Sequence, residues 1–124
     1  IEAIWTGVSA STSKLIKNID VNSDVFVDFS NKSNTLVCDL VIEFINNDFE
    51  QVKNILKKLS DNLKILDEKY KIGIYNNTVE EKLSKYDVSK ISGAGGGDYI
   101  LSFKNNVDKV KLQIKLEEEW KKYI

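Results

Sequence analysis

The sequence contains no arginine, histidine, proline or methionine, and a single cysteine, Cys38. Without histidine, the chain builds no Ser-His-Asp or Cys-His nucleophile pair and offers no imidazole to a metal. One cysteine makes neither an internal disulfide nor a thiolate metal site, and Cys38 is expected to be a small core residue. No apolar run approaches the roughly 20 residues that span a bilayer. The opening Ile1 to Val8 carries an acid and no basic flank, unlike a secretory leader. No membrane contact and a cytoplasmic location are therefore expected. The lysines are scattered and the net charge is -1, whereas nucleic-acid surfaces cluster their basic residues. No repeat and no low-complexity linker interrupts the chain. Its first residue is Ile1 rather than methionine, from which a portion of a longer protein is expected.

What is present fits one globular domain. The 124 residues are 42% hydrophobic and 30% charged. A chain of this size buries roughly two thirds of its unfolded surface. Ile1 to Thr6 reads as a short strand. In the loop that follows, Ser11, Thr12 and Ser13 form a hydroxyl cluster ahead of a helix whose inward residues are expected to be Leu15, Ile16 and Ile19. Spacings of three and four predict a helix over about 24–46, with Val37, Leu40, Val41, Phe44 and Ile45 on one face and "SNKSN" at 30–34 as a break or a wet side. The clearest helical stripe is Phe49, Val52, Ile55, Leu56, Leu59, Leu63 and Leu66, opened by Asp48 as a cap. A short helix follows a cap at Asn77 or Thr78, using Val79, Leu83 and Tyr86. Val88 to Ile91 and Tyr99 to Phe103 read as strands, and a last helix is expected from about Val107 to Trp120. The predicted class is α+β, a small, mostly antiparallel sheet with helices on one face.

The two later strands are joined by "SGAGGGD", Ser92 to Asp98, which holds four of the six glycines in five positions. Glycine adopts positive φ readily and lets another group approach the backbone closely. Consecutive backbone N–H groups here would form a concavity for phosphate oxygens; a wide hairpin turn is the plainer alternative. Two familiar phosphate loops do not fit. The P-loop requires lysine and a hydroxyl after its last glycine, where this chain has Asp98. The dinucleotide fingerprint would need its third glycine at Asp98 and a helix afterwards.

"SGAGGGD" between two strands resembles the third motif of the GHMP small-molecule kinases, and its GGGD ending is most similar to the phosphomevalonate kinases among them. "WTGVSASTSKLI" is similar to a segment preceding a helix in that family. "FSNKSNTLVCDLVIEFINNDFEQV" resembles its F-x-x-S helix with an acidic turn, and "GIYNNTVEEKL" its lead into a short helix. The resemblance covers essentially the whole chain, though only the glycine motif is specific by itself. Tyr99 departs from it, since many relatives carry cysteine after the aspartate.

The resemblance implies a ferredoxin-like C-terminal domain, with the nucleotide loop in an N-terminal domain that this chain lacks. It implies transfer of the γ-phosphoryl of ATP, with Mg2+, to 5-phosphomevalonate, and catalytic residues outside this chain, so that the chain alone is inactive. Gly93, Ala94, Gly95 and Gly96 would then present N–H groups to phosphate, beside Gly97, with Ser92 adding a hydroxyl. Asp98 either holds the loop through backbone N–H bonds or touches metal or substrate. Ser11, Thr12 and Ser13 either cap their helix or bind the acceptor's phosphate there, and Lys14 is a possible cationic partner. Mevalonate kinases and sugar kinases share the motif, and small domains of this class also serve as stand-alone ligand-binding modules.

Overall fold

The computed structural model describes residues 1–103. The helix expected over 107–120 lies outside them. In chain order the elements are β1 (Glu2–Trp5), α1 (Thr12–Ile16), α2 (Asp24–Ile45), α3 (Phe49–Tyr70), α4 (Asn77–Ser84), β2 (Ser89–Ile91) and β3 (Tyr99–Ser102). The sheet is antiparallel throughout, in the order β1-β3-β2. The class is thus α+β, as expected.

The two long helices form an antiparallel hairpin across a tight turn. Ser23 caps α2 by accepting the Phe26 N–H, and Asp48 caps α3 by accepting the Gln51 N–H. Such caps satisfy N–H groups that a helix start leaves unpaired. The α3 stripe buries as its spacing predicts, with Val52, Ile55, Leu56 and Leu66 all at 7% exposure or less.

Along α2 the expectation needs correction. Leu36 is the buried residue, Leu40 and Phe44 are half-buried, and Val37, Val41 and Ile45 face outward. Cys38 is exposed, not a core residue. The "SNKSN" stretch neither breaks the helix nor lies entirely on the wet side. Ser33 faces α3, where the buried Asn62 amide donates to its hydroxyl at 2.9 Å and to the Phe29 carbonyl at 3.0 Å. That polar pair fixes the rotation of α2, because a buried amide must keep its partners.

Two clusters of buried side chains hold the sheet. Val52 and Leu56 pack with Val88 and Phe103, joined by Leu40, Phe44 and Leu101. Ile74 and Val79 pack with Ile91, joined by Leu63 and Leu83. Lys90 pairs with Leu101 and Ile91 with Ile100, and successive strand residues point to opposite sides. Leu63 of α3 and Val79 and Leu83 of α4 meet at Ile91, and Lys64 of α3 pairs with Glu80 of α4, so α3 and α4 pack side by side along β2. Ile100 is fully buried on the central strand. Among the described residues no helix is long and apolar enough to cross a membrane.

Candidate functional site

The loop between β2 and β3 is held from three directions. At its base the Ser92 N–H donates to the Tyr99 carbonyl at 3.2 Å. Its middle is fastened to the turn before α4, the Gly96 N–H donating to the Ile74 carbonyl at 2.9 Å and the Asn76 amide to the Gly96 carbonyl at 2.8 Å. Its end is clasped to the segment after β1. The Asp98 N–H donates to the Val8 carbonyl at 2.7 Å, the Thr6 N–H to the Asp98 carbonyl at 2.8 Å, and the Ala10 N–H to Asp98 Oδ1 at 3.1 Å.

Asp98 therefore ties the loop through backbone N–H bonds, the first of its two expected roles. The clasp joins positions 88 apart in sequence and sets "SGAGGGD" beside the residues that lead into Ser11, Thr12 and Ser13. Asp98 takes a φ of 54°, and among non-glycine residues Asp and Asn adopt this region most readily.

The glycines are demanded mainly by the chain's own packing. A Cβ at Gly95 would lie 2.4 Å from Ile74 Cγ2, one at Gly97 2.7 Å from the Val8 carbonyl oxygen, and one at Gly96 3.1 Å from the methyls of Leu15. Gly93 differs, since it has a φ of 66° and open space where a side chain would stand. The donors divide likewise. Gly96 and Asp98 spend their N–H groups inside the fold. Those of Gly93, Ala94, Gly95 and Gly97 make no hydrogen bond among the described residues. Gly96 is thus removed from the expected set of phosphate donors, while Gly93 and Ala94 lie on the open side.

Ser11 stands at the N-cap position of α1 but makes no side-chain cap bond. Its hydroxyl lies 3.2 Å from that of Ser13, in an exposed position. Thr12 and Lys14 are exposed as well. The inward side of α1 is thinner than expected. Leu15 and Ile19 are half-buried, and Ile16 is 51% exposed. A helix of five residues is too short to bury a full stripe. Tyr99 meets Trp5 across the sheet, the rings edge to face at 5.2 Å.

Sequence reasoning missed Asp67. Near the end of α3 its carboxylate accepts three N–H groups, those of Gly73, Ile74 and Tyr75, at 2.8, 3.0 and 3.0 Å. It thereby shapes the turn whose Ile74 carbonyl receives Gly96. Asn76, rather than Asn77 or Thr78, caps α4 by accepting the Val79 N–H, and it also holds Gly96. Asparagine before a helical start was the available signal for the cap; nothing in the sequence marks the partners of Asp67.

Two recesses flank β2. One, of about 410 Å3, lies between α3 and α4. It is crossed by the ion pairs Lys53–Asp87 and Lys64–Glu80. The other, of about 200 Å3, lies between the α2–α3 hairpin and β2, reaching Gly93. Lys90 and Tyr75 line it. Burial pushes the Lys90 ammonium below the ordinary lysine range and the Tyr75 hydroxyl above the ordinary phenol range. The carboxylates of Glu80, Asp67 and Asp61 push Tyr75 further up, against an opposing pull from the Ser60 hydroxyl. Although Ser60 is near, the buried Tyr75 hydroxyl completes no hydrogen bond of acceptable length and angle.

No three acidic or cysteine side chains converge to hold a metal ion among the described residues. No family model matches the sequence, and no curated protein or solved structure matches it.

Proposed function

We propose that this chain is the acceptor-side domain of an ATP-dependent small-molecule kinase of the GHMP type, with a ferredoxin-like fold. Its acceptor in this reading is 5-phosphomevalonate, converted to the diphosphate. One observation carries the reading. The Asp98 clasp holds the end of the glycine loop, Gly96 to Asp98, against Val8 to Ala10, the residues that lead into the Ser11 to Ser13 hydroxyls. Phosphoryl transfer depends mainly on positioning and charge neutralisation, which backbone N–H groups and hydroxyls supply without covalent chemistry.

The free N–H groups of Gly93 and Ala94 would receive phosphate oxygens, and the hydroxyls of Ser92, Ser11, Thr12 and Ser13 would add donors. Asp98 keeps the two stretches in register, and its carboxylate is already engaged by Ala10. ATP and Mg2+ belong in this reading to a nucleotide domain outside this chain. Lysine is the only side-chain cation that the chain itself brings, and Lys14 is the nearest in sequence to the hydroxyl cluster.

A coupled ADP-release assay on the protein that carries this chain tests the reading, with mevalonate, 5-phosphomevalonate and galactose as acceptors. Turnover on 5-phosphomevalonate at least 100-fold above galactose is expected. Equal turnover of the sugar overturns the acceptor assignment. No ADP release with any acceptor, in a protein that still binds phosphate, returns the domain to a non-catalytic ligand-binding module.

A further inference from the structure

Lysine is costly to shelter from water unless something charged or polar meets it. Lys90 is half-buried on β2, and among the described residues no carboxylate pairs with it, whereas Lys53, Lys57, Lys64 and Lys85 each have an acidic partner. Its one hydrogen bond goes to the neighbouring Ile91 carbonyl. An ammonium carries three N–H donors, so two remain. On the wall of the same recess, Tyr75 keeps a buried hydroxyl that, although Ser60 stands near, completes no hydrogen bond of acceptable geometry. Both residues line the 200 Å3 recess, whose other walls include the apolar Phe29, Val37 and Leu63.

We propose that this recess is a binding site for a small monocarboxylate with a compact, branched apolar body, its carboxylate meeting Lys90 and Tyr75 and its hydrocarbon part lying against Phe29, Val37 and Leu63. The assignment does not rest on the kinase reading, since neither the glycine N–H groups nor the Ser11 to Ser13 hydroxyls take part in it. The lowered affinity of Lys90 for its proton agrees with an ammonium that lacks a counter-charge.

Size limits the ligand. An apolar cavity of about 150 Å3 accepts a benzene ring, so a recess of about 200 Å3 suits roughly six to eight non-hydrogen atoms. Charge limits it further. A carboxylate supplies two oxygens, one for the ammonium and one for the phenol, and leaves nothing polar to bury among the apolar walls. A neutral alcohol of the same skeleton satisfies only one of the two protein groups.

The test is a titration of the full 124-residue chain with 3-methylbutanoate, followed through backbone amide resonances, beside 3-methylbutanol and inorganic phosphate as separate probes. The carboxylate is expected to shift Ser33, Lys90 and Gly93 saturably, with a Kd on the order of 1 mM, as suits so few contact atoms. The alcohol is expected to bind at least 10-fold more weakly. Lys90→Met is expected to weaken carboxylate binding at least 10-fold and Tyr75→Phe about threefold, with thermal melts showing both variants folded. Equal binding of acid and alcohol, shifts that avoid these residues, or undiminished affinity in a folded Lys90→Met chain overturns the proposal. Carboxylate shifts at Ser33 and Lys90 report on the recess and phosphate shifts at Ser92, Ala94 and Ser11 to Ser13 on the glycine loop, Gly93 being common to both, so loss of one site is distinguished from loss of the other.

Discussion

At the scale of single residues, Gly97 and Gly93 separate two reasons for a glycine. A methyl at Gly97 would press on the backbone oxygen of Val8, which cannot rotate away. Gly97→Ala is expected to cost about 1–3 kcal/mol. At Gly93 a methyl meets nothing, and only the φ of 66° opposes alanine, at about 1 kcal/mol. Thermal melts should rank Gly97→Ala clearly below Gly93→Ala, and equal losses would contradict this packing account. Asp98 offers a second comparison. Asparagine keeps an acceptor for the Ala10 N–H and tolerates the positive φ, so Asp98→Asn should stay close to the parent in urea unfolding. Asp98→Ala abandons both and should lose about 1–3 kcal/mol.

Lys90 gives a pH signature. Its ammonium lies below the ordinary lysine value of 10.5 in the folded chain, and unfolding restores that value. Between the two values the unfolded chain binds more protons, so this group makes stability rise with pH. Lys90→Met removes the contribution. The stability of the variant relative to the parent should be greatest near pH 7 and shrink as pH approaches 10. A difference that does not change with pH would contradict an uncompensated ammonium at this position.

At the scale of elements, α3 was legible and α2 only in part. The α3 stripe is interrupted by lysines and acids at regular intervals, so one face alone qualifies for burial. In α2 the run "LVCDLVI", residues 36–42, places apolar side chains nearly all around the helix, and spacing cannot choose among them. The choice falls to Asn62, whose amide must find Ser33 and the Phe29 carbonyl, and this turns Leu36 inward and Val37 and Val41 outward. Asn62→Ala should therefore cost about 1–3 kcal/mol, because the buried side chain's packing and its two hydrogen bonds to α2 are lost together. Lys57→Ala on the same helix, which breaks an exposed pair with Asp61, should change stability by less than about 0.5 kcal/mol. Comparable losses in chemical denaturation would show that the amide does not set the rotation of the helix.

At the scale of the whole molecule, the sheet joins the start of the described chain to its end, β1 pairing with β3 along Glu2 to Trp5. The class and most elements could be read from hydrophobic spacing, turn residues and the glycine cluster. The meeting of α3 and α4 along β2 could not, because a strand of three or four residues does not reveal which helices lie against it. Nor could the anchoring of the loop by Asp67, Asn76 and Asp98, whose partners depend on tertiary folding. The glycine motif located the candidate site, but sequence alone could not tell a ligand's approach from the chain's own, and at Gly95, Gly96 and Gly97 the neighbour is the chain itself.

The direct test of the glycine-loop site is a titration of the whole chain with inorganic phosphate, read at the backbone amides of Ser92, Gly93, Ala94, Ser11, Thr12 and Ser13. The account predicts that both stretches shift together along one saturation curve, and that Asp98→Ala splits or abolishes the joint response. Phosphate that leaves these amides unmoved, or that shifts only the exposed lysines, would contradict it.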